Sequence, residues 1–218
     1  MDRLDFTLLT DGSSDTILIH PITWILRQHF SHLVVNGEWA DLRRLPNSPK
    51  GLRGRIDMAL DLYPCDLPFV HRDAEEVSPD RRLAEIKDAV AGLSAPQVPV
   101  VPVRMQEAWF LIDELALRRA AENPHGGVSL TMPAIDELEK ILDPKGVLHD
   151  LLRDASELTG RRRKKFRPGQ AAKRLGELIK DYSPLRRLTA FGHTENETLT
   201  ALRDNFNMVS MIGQRGKQ

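Results

Sequence analysis

A chain of 218 residues with 41% hydrophobic and 28% charged side chains has the length for one large domain, or for a core domain with an appended part. Its composition is that of an ordinary soluble globular protein. Its 31 basic residues are matched by 31 acidic ones, so overall charge argues for no polyanionic partner and only the distribution of charge can. The single cysteine, Cys65, excludes an internal disulfide and a multi-thiolate zinc site, as expected in a reducing cytosol. Acids at positions 2 and 5 without a long apolar core predict no signal peptide. No apolar run approaches the roughly 20 residues of a membrane span, so the expected location is cytoplasmic.

In chain order, Leu4 to Thr10 is rich in β-formers and stops at Asp11-Gly12, which predicts a first strand and a tight turn. Asp15 to Phe30 repeats Ile17, Ile22, Ile25 and Leu26 at helical spacing, with Pro21 near the helix start, where its missing N–H costs least. His32 to Val35 is a short second strand, and Pro46-Asn47-Ser48-Pro49 a loop before an amphipathic helix over Gly51 to Tyr63. A third strand over Leu67 to Arg72 stops at Asp73, and a helix follows from about Pro79 to Leu93. Pro96 to Val103 is apolar and β-branched, but its three prolines predict a short strand or one near a sheet edge.

From Met105 the pattern turns helical, over Met105 to Ala121, Pro133 to Leu142, Pro144 to Leu158, Gln170 to Tyr182 and Glu195 to Asn205, with Gly160 to Gly169 as a separator. Alternating strands and helices predict an α/β fold, a mainly parallel sheet of about four strands flanked by helices. The expected division is an α/β domain over 1–122 and a helical C-terminal extension over 123–218 packed on it.

Ligand sites of open α/β sheets lie at the carboxyl ends of strands. Two such ends are acidic here, Asp11-Gly12-Ser13-Ser14-Asp15 and His71-Arg72-Asp73-Ala74-Glu75-Glu76. Hard divalent cations take carboxylate oxygens, and acids gathered from two strand ends repel one another unless a cation or a raised pKa relieves them. On an extended backbone Asp73 and Glu75 point the same way. Asp15 also suits a helix N-cap, and Glu107 after the fourth strand either joins the site or stabilises the dipole of a helix start. Trp109 and Phe110 are expected in the core.

A strand, an acid-Gly-x-x-acid turn and a later strand ending in acid-x-acid resemble the TOPRIM domain of topoisomerases, primases and the nucleases related to the overcoming-lysogenization-defect proteins. Asp11 stands where that domain normally has Glu, and Glu75 where it has Asp. Glu107-Ala108-Trp109-Phe110-Leu111-Ile112-Asp113 and Asp143-Pro144-Lys145 are similar to segments of a family of small TOPRIM-like bacterial proteins of unknown function. That family is often encoded beside ATPases in phage-defence loci.

The resemblance, which spans roughly positions 4 to 190, implies a TOPRIM-like, Rossmann-like sheet and a Mg²⁺- or Mn²⁺-dependent nuclease in anti-phage defence. Its metal ligands would come from Asp11, Asp15, Asp73, Glu75 and Glu107, with Asp11, Asp73 and Glu107 catalytic. Two ions about 3.5 to 4 Å apart would activate water and stabilise the leaving oxygen. His71 and Arg72 are the nearest cations in sequence, and Lys145 either approaches the site or supports a helix end.

The run Arg161, Arg162, Arg163, Lys164, Lys165 and Arg167 is the candidate for phosphate-backbone contact with DNA or RNA, or else a solvated loop. A second expectation is a non-catalytic partner or sensor subunit of an ATPase, favoured by the two altered acid positions, and an oligomer is compatible with either. Asp11-x-Ser13 also resembles the start of a von Willebrand A-like adhesion site, but Asp15 stands where a second serine is expected. A receiver-like domain would not bring the helical second half.

Overall fold

The computed structural model describes residues 3–215 apart from 44, 48 and 94, with side chains up to 203; Ser48 of the expected loop lies outside the described residues. Four strands form, β1 (Arg3–Leu9), β2 (Val34–Trp39), β3 (Leu67–His71) and β4 (Val98–Val100). They make one sheet in the order β2-β1-β3-β4, with every pairing parallel. Helices α1 (Ile19–His29), α2 (Gly51–Leu62) and α3 (Pro79–Val90) make the crossovers. The fold is α/β, with the C-terminal part helical: α4 (Glu114–Ala120), α5 (Pro144–Ala155), α6 (Gly160–Lys165), α7 (Pro168–Leu178) and α8 (Thr189–Arg215).

Strand periodicity divides the apolar residues between two faces. Leu4, Phe6 and Leu8 of β1 point to one side, where Phe6 packs edge-on against Phe69 of β3 with ring centroids 5.4 Å apart. That core is continuous from the sheet through Ile22 of α1, Trp109 and Phe110 to Leu152 of α5, Leu175 of α7 and Phe191 of α8. On the opposite face Leu9 and Val70 meet Ile56 of α2 and Ile86 of α3. β3 is buried on both faces along its whole length, and it is apolar from Leu67 to Val70.

Several elements differ from expectation; the helix expected over Pro133 to Leu142 is a 3-10 turn over Ile135–Lys140, and α8 begins at Thr189 rather than Glu195. The second strand runs over Val34–Trp39 rather than ending at Val35, because Gly37 lies so close under the Phe6 ring that a Cβ there would come within 2.2 Å of it. The stretch expected as one helix over Met105 to Ala121 is broken. A 3-10 turn over Gln106–Phe110 ends, and Asp113 restarts the helix by accepting a hydrogen bond from the Ala116 N–H at 2.9 Å. The basic run is a short helix, α6, led in by Gly160 at φ +53.

The strand order places a crevice. From β1 the chain crosses to β2 on one side of the sheet and later to β3 on the other, so the carboxyl ends of β1 and β3 flank the point where the winding direction reverses. Loops there diverge and leave room for a ligand.

Candidate metal centre

The β1 end supplies Asp15, the first residue of a 3-10 turn over Asp15–Leu18. It is 6% exposed and accepts from three donors: the Gly12 N–H at 3.0 Å, Ser14 Oγ at 2.6 Å and Gln106 Nε2 at 2.9 Å. The β3 end supplies His71, the last strand residue, and Asp73 two places on. Among the described residues, Asp15, His71 and Asp73 each offer a ligand atom within 4.8 Å of the others, a group that could hold a metal ion.

The protonation pattern suits one. His71 Nδ1 is 2.9 Å from the Val100 carbonyl, an acceptor only, so Nδ1 carries the hydrogen and Nε2 presents a lone pair. That lone pair lies 3.5 Å from Asp73 Oδ1. Burial, the largest effect, lowers the His71 pKa and keeps the ring neutral. Burial, then the charges of Asp15 and Glu107, pushes Asp73 up to about 8. Two acceptors facing each other need a proton or a cation between them, and a carbonyl behind the imidazole orients it as metal-ligating histidines are oriented.

Gln106 ties the two halves together. Its backbone N–H donates to Asp73 Oδ1 at 3.0 Å while its side chain donates to Asp15, and its own Oε1 is buried without a partner among the described residues. Next to it Glu107 is also buried, with Oε1 3.3 Å from Lys145 Nζ and Oε2 lacking a hydrogen-bond partner among the described residues. Burial raises the Glu107 carboxyl, and Lys145 opposes that shift. Unmet buried polar atoms beside an acidic group mark a place where something polar binds.

Asp11 stands on the rim rather than in this group. Its carboxylate is 48% exposed and pairs with Arg55, while Arg72 Nε lies 2.8 Å from its Oδ2, close enough for an ion pair but out of line for a hydrogen bond. Glu75 is exposed. The chain leaves the extended conformation after Asp73, and Glu75 at φ +50 donates its N–H to the carbonyl of Arg104, itself at φ +64, at 2.7 Å. Both acids border the same cavity of about 350 Å³ as the triad.

A larger cavity of about 900 Å³ opens beside it and shares Ser14, Gln106 and Lys145 with it. Its outer wall carries Arg167 of the expected phosphate-contact set, together with Arg153 and Lys173. Arg161, Arg162, Lys164 and Lys165 on α6 face solvent, and Arg163 is tied to Asp154 at 2.8 Å.

In the sequence His71 reads as a cation for phosphate, and nothing there marks Gln106 for a role. The i, i+2 spacing that linked Asp73 to Glu75 applies equally to His71 and Asp73, and strand periodicity selects that second pair. Among the described residues, no helix is long and apolar enough to cross a membrane. No family model matches the chain, and neither does any curated protein or solved structure.

Proposed function

We propose that the chain is a metal-dependent hydrolase of nucleic-acid phosphodiesters, with Asp15, His71 and Asp73 holding a Mg²⁺ or Mn²⁺ ion. The observation that carries this is the neutral imidazole and two carboxylates converging within 4.8 Å at the sheet's switch point, beside a cavity walled by Arg153, Arg167 and Lys173. An imidazole among the donors favours Mn²⁺ over Mg²⁺, which prefers oxygen throughout.

Bound there, the ion supplies a water of lowered pKa and positive charge beside the phosphate. Lys145 Nζ is suited to grip a phosphate oxygen, since it sits at the junction of the two cavities and its partner Glu107 is only half satisfied. Glu107 Oε2, buried and pushed toward its protonated form by that burial, is suited to hold a proton for the leaving oxygen. Of the acids in the TOPRIM-like motifs, Asp15 and Asp73 belong to this triad, and Asp11 and Glu75 border its cavity.

The test is cleavage of mixed DNA and RNA by the purified chain with Mn²⁺ or Mg²⁺, alone and with an ATPase encoded beside it. Asp73→Ala is expected to abolish cleavage and Mn²⁺ binding by calorimetry. Metal-loaded protein that cuts nothing in either setting overturns the nuclease reading. The ion pairing of Asp11 by Arg55 and Arg72 favours a second reading, a non-catalytic subunit of an ATPase. Full biological activity of Asp73→Ala would select it.

A further inference from the structure

The cavity of about 900 Å³ has two kinds of lining. Its floor is apolar, with Ile17, Phe110 and Leu148 all buried, while Lys173, Arg167, Lys145 paired with Glu107, and Arg153 paired with Asp150 stand around it. His149 shares the lining, and its pKa is lowered first by burial and then by the charges of Lys145 and Arg153, with Asp143 and Asp150 opposing. Among the described residues, Arg167 and Lys173 take part in no ion pair. Guanidinium and ammonium groups left unmatched around an apolar floor suit a ligand with a flat ring and a negative charge.

The α6–α7 junction adds a second feature. Phe166 is half-buried between Lys165 and Arg167, and it lines both this cavity and another of about 390 Å³, where Lys165 and Arg167 supply positive charge and Arg174 is paired with Glu122. An aromatic ring with cations on both sides and an apolar recess next to it is the arrangement on which unpaired bases stack while the backbone is held electrostatically. A base stacked inside a duplex cannot enter a recess whose floor is formed by Phe110 and Leu148.

We propose that this cavity takes one unpaired nucleotide of a single strand, its base over Phe166 and the apolar floor and its phosphate toward Lys145 and Arg167. The strand continues across Phe166 into the second cavity. The proposal rests on the nuclease reading for the identity of the ligand as nucleic acid, and it narrows the substrate to single-stranded segments or frayed ends.

The test separates binding from cleavage. The full chain is titrated in chelator, by fluorescence anisotropy, against fluorescein-labelled oligothymidylate, oligouridylate, a mixed-sequence duplex and, as competitor, thymidine monophosphate. At least one single-stranded oligomer is expected to bind tenfold or more tightly than the duplex and than the monophosphate. Phe166→Ala is expected to remove most of that preference, and Arg167→Glu to weaken binding and flatten its salt dependence. Ala172→Phe, which narrows the recess, is expected to act like Phe166→Ala with an unchanged circular dichroism spectrum.

Duplex binding equal to single-strand binding, monophosphate binding as tight as the oligomers, no binding of any probe, or an unchanged preference in Phe166→Ala each overturns the proposal. If the preference is present but no metal supports cleavage, the nuclease reading falls and this binding site stands. Cleavage without the preference has the opposite meaning.

Discussion

At the scale of single residues, the candidate centre depends on how few donors serve many acceptors. Gln106 alone presents a backbone N–H to Asp73 and a side-chain amide to Asp15, which sets the spacing of two carboxylates that repel each other. Replacing it by Leu keeps the backbone bond and removes the other, so the fold should persist while the pair loses its alignment. Supporting groups of this kind typically change metal affinity by about 10- to 100-fold, and Gln106→Leu is expected to weaken Mn²⁺ binding within that range by calorimetry. An unchanged affinity would mean that Asp15 is held by Gly12 and Ser14 without help.

The same scale shows what the sequence could reveal. Asp15 and Asp73 are legible as acids placed just after strands, because a strand's end is a local pattern. Gln106 is not, because its partners lie 91 and 33 residues away and nothing near it in sequence marks the contact. The departure of the chain from an extended path at Glu75 follows from its left-handed backbone, which costs of order 1 kcal/mol for a non-glycine residue and is invisible to a pattern that assumes extension.

At the scale of elements, α7 matters most, because it brings Arg167 and Lys173 to the large cavity and packs across the loop that carries Asp15. The contact is close at Gly176, where an added Cβ would meet His20 Cδ2 at 2.5 Å and Ile17 Cγ1 at 2.6 Å. Tyr182 Oη donates to the Gly176 carbonyl at 2.9 Å and holds that turn in place. Gly176→Ala is therefore expected to destabilise the chain by about 1 to 3 kcal/mol despite the better helix propensity of Ala. That corresponds to a fall in melting temperature of several degrees, read by thermal denaturation. A melting temperature equal to or above that of the unaltered chain would show that the helix can move away freely.

The alternation of strands with helices was legible because each element carries its own period, 2 or about 3.6. The pairing of α7 with the first βα turn was not, since the glycine that permits it reads in sequence only as a weak point in a helix. The basic run behaved similarly: charge alone could not distinguish a loop from the short helix α6.

At the scale of the whole molecule, the long helix α8 lies beside β4 and closes the chain back onto α1 through a polar clamp. Glu195 Oε1 lies 2.7 Å from His29 Nε2 of α1 and accepts from Arg186 Nη2 at 2.7 Å. Arg186 Nε, at 3.0 Å from Oε2, completes a forked pair, and its guanidinium covers Trp24 at 4.9 Å. Burial raises the Glu195 pKa, but hydrogen bonds from Arg186 and then His29 outweigh it, so the folded value sits below that of an ordinary glutamate, 4.5. For a carboxyl with a depressed folded pKa, the stabilisation is fully present above the unfolded value and is lost as pH falls through the folded one.

The clamp therefore contributes at neutral pH and fades below about pH 4.5. Because Arg186 is 42% exposed, solvent screening reduces the contribution to about 1 kcal/mol. Glu195→Gln is expected to lower the melting temperature by about 2 to 4 °C at pH 7. The difference from the unaltered chain should shrink as pH drops toward 3, and added salt should shrink it at pH 7. A deficit that stayed constant from pH 7 to 3 would assign the loss to packing around Trp24, and the clamp would then be steric rather than electrostatic.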